Sequence, residues 1–338
     1  MSRNGAPSGA RTRLSDVAAA AGVSAMTVSR ALREPHRLHP LTLERIRAKI
    51  SELGYLPNGS ARSLVSRRSR IVAAVVPTLS FSVYAGTLQG LSDGLRSAGF
   101  ELMLGDSGYD MHIERSLVEA FIARGVDALV LTGVEHDRRT RELVAAHRLP
   151  IAEIWDLDRD PLGLCVGFSN RGAGRAVGAL LASLGRRHWA FIGSGVEHRS
   201  RKRMEGFRRA AQDAGLARPV DALVDDAMVI EQAREAARRL LCGGERIDAV
   251  FCANDLLACG LLQVARQLGR RIPDEVAVVG FGDFDIASIA TPALTTVRIP
   301  GYRMGLVAAE SLLAKTMGRE CAGRTVDLGY EIVRRETA

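Results

Sequence analysis

No stretch of about 18 uncharged apolar residues occurs in this 338-residue chain, so no segment is expected to span a membrane. Met1 to Arg13 is rich in Gly, Ser and Arg and lacks an apolar centre, which argues against a secretory signal. The five cysteines (Cys165, Cys242, Cys252, Cys259 and Cys321) form an odd set with no C-x-x-C pair, as expected of reduced thiols in a cytoplasmic protein. None of the seven histidines falls into H-x-x-x-H or H-E-x-x-H spacing, so neither a zinc site nor a cofactor is expected. Apolar residues make up 47% and charged residues 25%, which excludes disordered, collagen-like and disulfide-dense classes.

What is present is unevenly distributed. Of the 46 basic and 38 acidic residues, 13 and 4 fall in the first seventy positions, giving a local charge of +9. The remaining 33 and 34 leave −1, so the whole excess of +8 lies in the first fifth of the chain. That asymmetry predicts a short domain for a polyanion on a near-neutral body, within a length that suits about two or three folded units.

The patterning divides the same way. Residues 1–13 read as a disordered basic arm. Leu14, Val17, Ala18 and Ala21 recur at helical spacing until Gly22, Ser24 is placed to cap a second helix from Ala25 to Leu32, and a third runs from about Thr42 to Leu53, with Gly54 after it. Two helices around a tight glycine turn make a helix-turn-helix within 14–57. Residues 58–70, with Arg62, Arg67, Arg68 and Arg70, read as a linker with one short helix. From 71 to 338, Val/Ile/Leu strand runs such as IVAAVVP (71–77), DALVLT (127–132), AVFCA (249–253) and VAVVGF (276–281) alternate with helices. Such runs belong to parallel sheets covered on both faces. This length suits two doubly wound lobes with a cleft between them, and a (β/α)₈ barrel is the competing architecture.

The stretch LSDVAAAAGVSAMTVSRAL (14–32), followed by ELGYLPNGSARSL (52–64), resembles the DNA-binding head of the LacI/GalR family of bacterial repressors. SRKRMEGFRRA (200–210), CANDLLACG (252–260) and GDFDIASIATPALTTVRIP (282–300) extend the resemblance over nearly the whole chain. EIWDLDRDPLGLCVGFSN (153–170) and YRMG (302–305) are most similar to gluconate-operon repressors. The resemblance implies a body of the periplasmic-binding-protein type, with an N-lobe of about 71–167 plus 299–326 and a C-lobe of about 168–297 plus 327–338. It also implies a cytoplasmic, nucleoid-associated homodimer on a pseudo-palindromic operator, with no heptad tail after the last strand to build a tetramer.

For the head, the resemblance makes Ala25 and Met26 the variable base-reading positions. Both are apolar and can touch thymine methyls, whereas Arg30 can give a guanine two hydrogen bonds. Ser24, Thr27, Ser29, Tyr55 and Asn58 can bond phosphates, although Ser24 also reads as a plain helix cap and Thr27 as a packing residue. Ala61 and Leu64 belong to the hinge motif, where the family's leucine wedges into a minor-groove step, and the alternative for Leu64 is packing on the partner's hinge. Two departures bear on stability. Gly59 costs the hinge helix roughly 1 kcal/mol against Ala, and Arg13 stands where the family often has a capping Thr.

For the body, the resemblance makes Arg203 an effector anchor, and a guanidinium fork suits a carboxylate. Its alternative is a surface residue in the run Arg199, Arg201, Lys202, Arg203. Asn254 either bonds a ligand hydroxyl or caps a helix, and Phe81, Tyr84 and Trp155 are either cleft walls or core. Many sugar-binding members carry an Asp where this chain has Gly282, with Asp283 following. Losing a carboxylate there favours an anionic effector, a sugar acid such as gluconate or a keto-gluconate, although Asp283, Asp156 and Glu153 remain available to the cleft. RGAGRAVG (171–178) misplaces the third glycine of a dinucleotide loop, and GDSG (105–108) lacks the base of a serine hydrolase, so Tyr109 and Asp110 are expected at the cleft rim. The expectation is thus a non-enzymatic DNA-binding regulator under small-molecule control. The competing readings are a sugar-binding receptor with the same body, which requires an export signal and no DNA head, and a regulator answering to a neutral sugar.

Overall fold

The structure is a computed structural model that describes residues 12–55, 68–79, 82–157, 160–319 and 323–338. The chain forms two compact units, one up to Ser69 and one of Arg70–Ala338.

The first unit is three helices, α1 (Leu14–Ala21), α2 (Ala25–Arg33) and α3 (Pro40–Glu52). Gly22 takes a left-handed φ of 63° and ends α1, since the turn into α2 needs a backbone that side chains resist. Ser24 Oγ accepts the Thr27 N–H at 3.1 Å and starts α2. The third helix begins two residues earlier than expected, because Pro40 suits the first turn, where its missing N–H has no partner to lose. Arg13 does not leave α1 weakly started. The Asp16 carboxylate accepts the Arg13 N–H at 2.8 Å, and the Thr12 hydroxyl donates to the Leu53 carbonyl at 3.0 Å, which ties the two ends of the head together. Val17, Ala18, Ala21, Val28, Ala31, Ile46 and Tyr55 form the core.

The body holds two six-stranded sheets, each open at both ends, which excludes the barrel. The first has the order β11-β5-β4-β3-β1-β2, from β1 (Ile71–Val76), β2 (Glu101–Asp106), β3 (Ala128–Thr132), β4 (Ile151–Ile154), β5 (Leu164–Gly167) and β11 (Thr325–Asp327). The second has the order β12-β10-β9-β8-β6-β7, from β6 (Trp189–Ser194), β7 (Val220–Val224), β8 (Ala249–Cys252), β9 (Ala277–Gly282), β10 (Thr295–Arg298) and β12 (Glu331–Val333). Every pairing is parallel except β10 with β12. The chain passes between the sheets after β5, after β10 and after β11. The strands β11 and β12 have three residues each and no apolar run, so periodicity does not announce them.

Helices α4 (Ala85–Ser97), α5 (Met111–Ala123) and α6 (Arg138–His147) alternate with the strands of the first sheet. Helices α7 (Asn170–Ser183), α8 (His198–Asp213), α9 (Ile230–Cys242), α10 (Asp255–Gln267) and the short α11 (Asp285–Ile289) follow, and α12 (Gly301–Thr316) packs against β4 and β5. The glycine string at 171–178 serves packing. A Cβ at Gly174 would collide with the Arg203 carbonyl, and one at Gly206 with the Arg171 carbonyl, so these glycines let α7 and α8 lie against each other. That contact fixes the helix that carries Arg203.

Candidate functional site

In the head, Ser24, Ala25, Met26 and Arg30 are exposed on α2, and Thr27 and Ser29 are half-buried beside them. Met26 is 72% exposed, an apolar side chain held largely in water. Val28 faces the opposite way into the core. The helix therefore offers a small apolar tip flanked by hydroxyls and one guanidinium. Tyr55 differs from expectation: it is buried in the head's core, so its ring is a packing group rather than an open side chain. Asn58, Ala61 and Leu64 lie outside the described residues.

In the body, the residues around one inner chamber come from the loops that follow the strands, as usual for open α/β sheets. Tyr84 precedes α4 after β1, Trp155 follows β4, Asn254 caps α10 after β8, and Glu197 precedes α8 after β6. Arg199 and Arg203 stand one helical turn apart on α8, so both face inward. Each is 5% exposed. Backbone strain gathers here, with Tyr109 at φ 62° and Trp155 at φ 71°, left-handed values that non-glycine residues hold only under constraint.

The polar groups are tightly engaged. Arg199 Nη2 donates to the Tyr84 hydroxyl at 2.7 Å and contacts Glu197 Oε1 at 3.0 Å. Arg203 Nη1 donates to Asn170 Oδ1 at 2.7 Å, and its Nη2 lies 3.7 Å from Glu197 Oε2. Its guanidinium lies over the Phe281 ring, 4.3 Å from the centroid. Arg203 Nε is buried without an acceptor among the described residues. Burial pulls the Arg203 pKa down, with the Glu197 charge opposing it. Burial raises the Tyr84 pKa, so its hydroxyl stays protonated.

Trp155 stands edge-on to Tyr84, with centroids 4.9 Å apart, and turns its indole N–H away to the Thr87 hydroxyl at 3.0 Å. Asn254 accepts the Leu257 N–H at 2.8 Å and donates to the Ala227 carbonyl at 3.0 Å, so the capping reading holds while its side chain still lines the chamber. Phe81 lies outside the described residues.

Asp283 is a correction. It does not line the chamber; Phe284 does. A left-handed φ of 52° turns Asp283 toward the edge of the second sheet, where Arg298 Nε and Arg335 Nη2 each donate to it at 2.6 Å. Two guanidiniums hold it more firmly than a ligand hydroxyl would. The neighbouring Asp255 fixes the loop instead. Its carboxylate accepts the Phe284 N–H at 2.8 Å and the Thr296 hydroxyl at 2.5 Å, and burial raises its pKa to about 6. Glu153 and Asp156 are also spent elsewhere, Glu153 3.5 Å from His136 and Asp156 2.7 Å from Lys202.

Sequence reasoning passed over Arg199, Glu197, Asn170 and Phe281. Arg199 was hidden in a basic run, and Glu197 preceded that run as a lone acid. Among the described residues no group of three or more His, Cys, Asp or Glu side chains is placed to hold a metal ion, and no helix is long and apolar enough to cross a membrane.

Comparison with known proteins decides the class. Residues 13–58 match "Bacterial regulatory proteins, lacI family", and residues 179–338 match "Periplasmic binding protein-like domain". The HTH-type transcriptional regulator GntR of Pseudomonas aeruginosa is 36% identical over 328 residues, covering 97% of this chain and 96% of that protein. The chain belongs to the lacI family of bacterial regulators. The Escherichia coli K12 regulator GntR is 33% identical across 95% of this chain and 97% of its own length. Among solved structures, a LacI-family regulator from Silicibacter pomeroyi superposes with a TM-score of 0.90 at 28% identity, covering 96% of this chain and 99% of its own. The regulator GntR from Chromobacterium violaceum gives 0.76 at 34% identity over 79% of this chain and 98% of its own. A lacI-family chain with this head is a DNA-binding transcriptional regulator, and the family's named relatives are regulators rather than enzymes.

Proposed function

We propose that this regulator is a homodimeric repressor whose operator affinity is set by a sugar acid, such as gluconate or a keto-gluconate, bound between the two lobes. The observation that carries this reading is the pair of buried guanidiniums, Arg199 and Arg203. The charged residues lining the inner chamber are these two and Glu197, which leaves one positive charge in excess, and Arg203 Nε stands unpaired among the described residues. A buried cationic excess with an unused donor favours a carboxylate over a neutral sugar. Tyr84, Trp155 and Phe281 supply the apolar walls, and Asn254 an amide beside them. The similarity to regulators named GntR supports the same choice. A relative of the same build, CelR, is known in complex with cellobiose, at 29% identity and a TM-score of 0.69, so a carbohydrate in such a body has precedent.

In the head, Arg30 would read a guanine, Ala25 and Met26 thymine methyls, and Ser24, Thr27 and Ser29 phosphates, with Asn58 beside them and the hinge residues Ala61 and Leu64 at the minor groove. Effector and operator would favour different arrangements of the body, which couples their affinities. Calorimetry of the full chain against gluconate, keto-gluconates, glucose and cellobiose tests the effector class. Saturable binding of an acid and none of the neutral sugars is expected, and the reverse result would replace the reading with a neutral-sugar regulator.

A further inference from the structure

The chamber between Arg199 and Arg203 is small, about 30 Å³, with room for little more than water. A six-carbon acid does not fit beside what is already there. Two larger cavities of about 120 and 440 Å³ adjoin it, and Glu197 and Tyr109 line all three. Arg199 also reaches the 120 Å³ cavity, whereas Arg203 lines only the inner chamber, so the Glu197 side chain stands where the outer space meets the two arginines. Its two oxygens lie 3.0 Å from Arg199 Nη2 and 3.7 Å from Arg203 Nη2, each on a different guanidinium. The three side chains are 6%, 6% and 14% exposed. This is the bridge that a bound carboxylate would make.

We infer that Glu197 is a built-in occupant of the anion seat, and that an effector's carboxylate binds by taking over its place between Arg199 and Arg203. The inference concerns the cleft proposed above and rests on the reading of that cleft as an effector site. It adds a selection rule. Moving Glu197 aside leaves two buried guanidiniums facing the chamber, and only a ligand that brings its own anion compensates them. A neutral polyol of the same length, such as sorbitol, has nothing to offer in exchange. Glu197 thereby acts as a specificity determinant, excluding uncharged sugars and tuning acids to weaker affinity than the bare arginines would give.

The test is chemical rescue. Thermal melts of the full-length wild type, Glu197→Ala and Glu197→Gln are compared in acetate, in sodium chloride of equal ionic strength and in sorbitol. Both variants lose the counter-charge, so acetate is expected to raise their melting temperatures by at least about 4 °C more than it raises that of the wild type. Chloride and sorbitol should show no such difference. A variant that folds only with acetate present counts as rescued. Equal acetate shifts in all three proteins would overturn the inference. Calorimetry with D-gluconate separates the two proposals, with Glu197→Gln expected to bind about tenfold more tightly than wild type. Acetate rescue without gluconate binding to any of the three keeps the occupant and removes the sugar-acid reading. Gluconate binding to wild type with no gain in Glu197→Gln and no rescue keeps the sugar acid and removes the occupant.

Discussion

Lys202 Nζ on α8 lies 2.7 Å from Asp156 Oδ2, beyond the end of β4, so a helix beside the second sheet is tied to a loop of the first by a pair that is 15% and 2% exposed. Asp156 also accepts N–H bonds from Leu157 at 2.9 Å and from Asn170 Nδ2 at 3.2 Å. Asn170 in turn receives Arg203. Arg203 on α8 is therefore braced, through Asn170, by the same carboxylate that joins the lobes.

Breaking this pair should be costly from either side, because one change strands a buried carboxylate and the other a largely covered ammonium. Asp156→Ala and Lys202→Met are each expected to lower stability by about 3 kcal/mol, and the double variant by no more than the worse single one. Urea denaturation of the four proteins measures this. Additive losses would show that the two side chains act independently.

How much of this was legible in the sequence depends on what each residue needs. The head helices were readable because their ends carry their own punctuation, Ser24 as a cap and Gly22 as a left-handed stop. The motif singles out Arg203, and the structure turns that side chain inward. Arg199 was not legible, since only the i, i+4 geometry on α8 shows that two of four neighbouring cations turn inward. Asp283 misled because one left-handed residue reverses a side chain, and its partner Arg335 lies 52 positions away in sequence. Tyr55 misled because a tyrosine's polar tip suggests an open surface while its ring fills a core.

The position of Asp283 makes its own prediction. Asp283→Asn should leave sugar-acid affinity within about twofold, because the side chain is absent from the chamber. It should reduce stability by about 1–3 kcal/mol, through weakened bonds to Arg298 and Arg335. Calorimetry and denaturation on one preparation check both. A large loss of affinity at unchanged stability would return Asp283 to the ligand.

His136 predicts a pH dependence in the first lobe. Burial pulls its pKa down, but the bond to Glu114 at 2.7 Å and the Glu153 carboxylate 3.5 Å away outweigh this and raise it to about 9. A pKa raised on folding means that the charged imidazole stabilises the fold fully below the ordinary value of 6.5, and that this contribution is lost as pH rises through about 9. Melting temperature should therefore fall between pH 7 and 10, and the imidazole resonances followed by NMR should titrate near 9. In Glu114→Gln the midpoint should move down. A wild-type midpoint near 6.5 would contradict the buried ion triplet.

On DNA, Arg30→Ala should cost about 1–3 kcal/mol for the preferred duplex and relax discrimination at one base pair. Met26→Ala should cost less and leave the salt dependence unchanged, because it removes no charge. Leu64→Ala should weaken binding most on duplexes that resist bending. Gel shifts on a duplex selected from a random pool, run at two salt concentrations, separate these effects. Wild-type binding by both Arg30→Ala and Leu64→Ala would defeat the proposed interface.

The most direct test of the account is fluorescence anisotropy of that selected duplex with the full-length protein while D-gluconate and a keto-gluconate are titrated. The wild type should change its DNA affinity by at least about tenfold, a coupling in the usual range, with one of these acids and not with sorbitol. Arg203→Ala should bind the duplex but no longer respond. An unchanged wild-type affinity with every acid, or an equal response in Arg203→Ala, would contradict it.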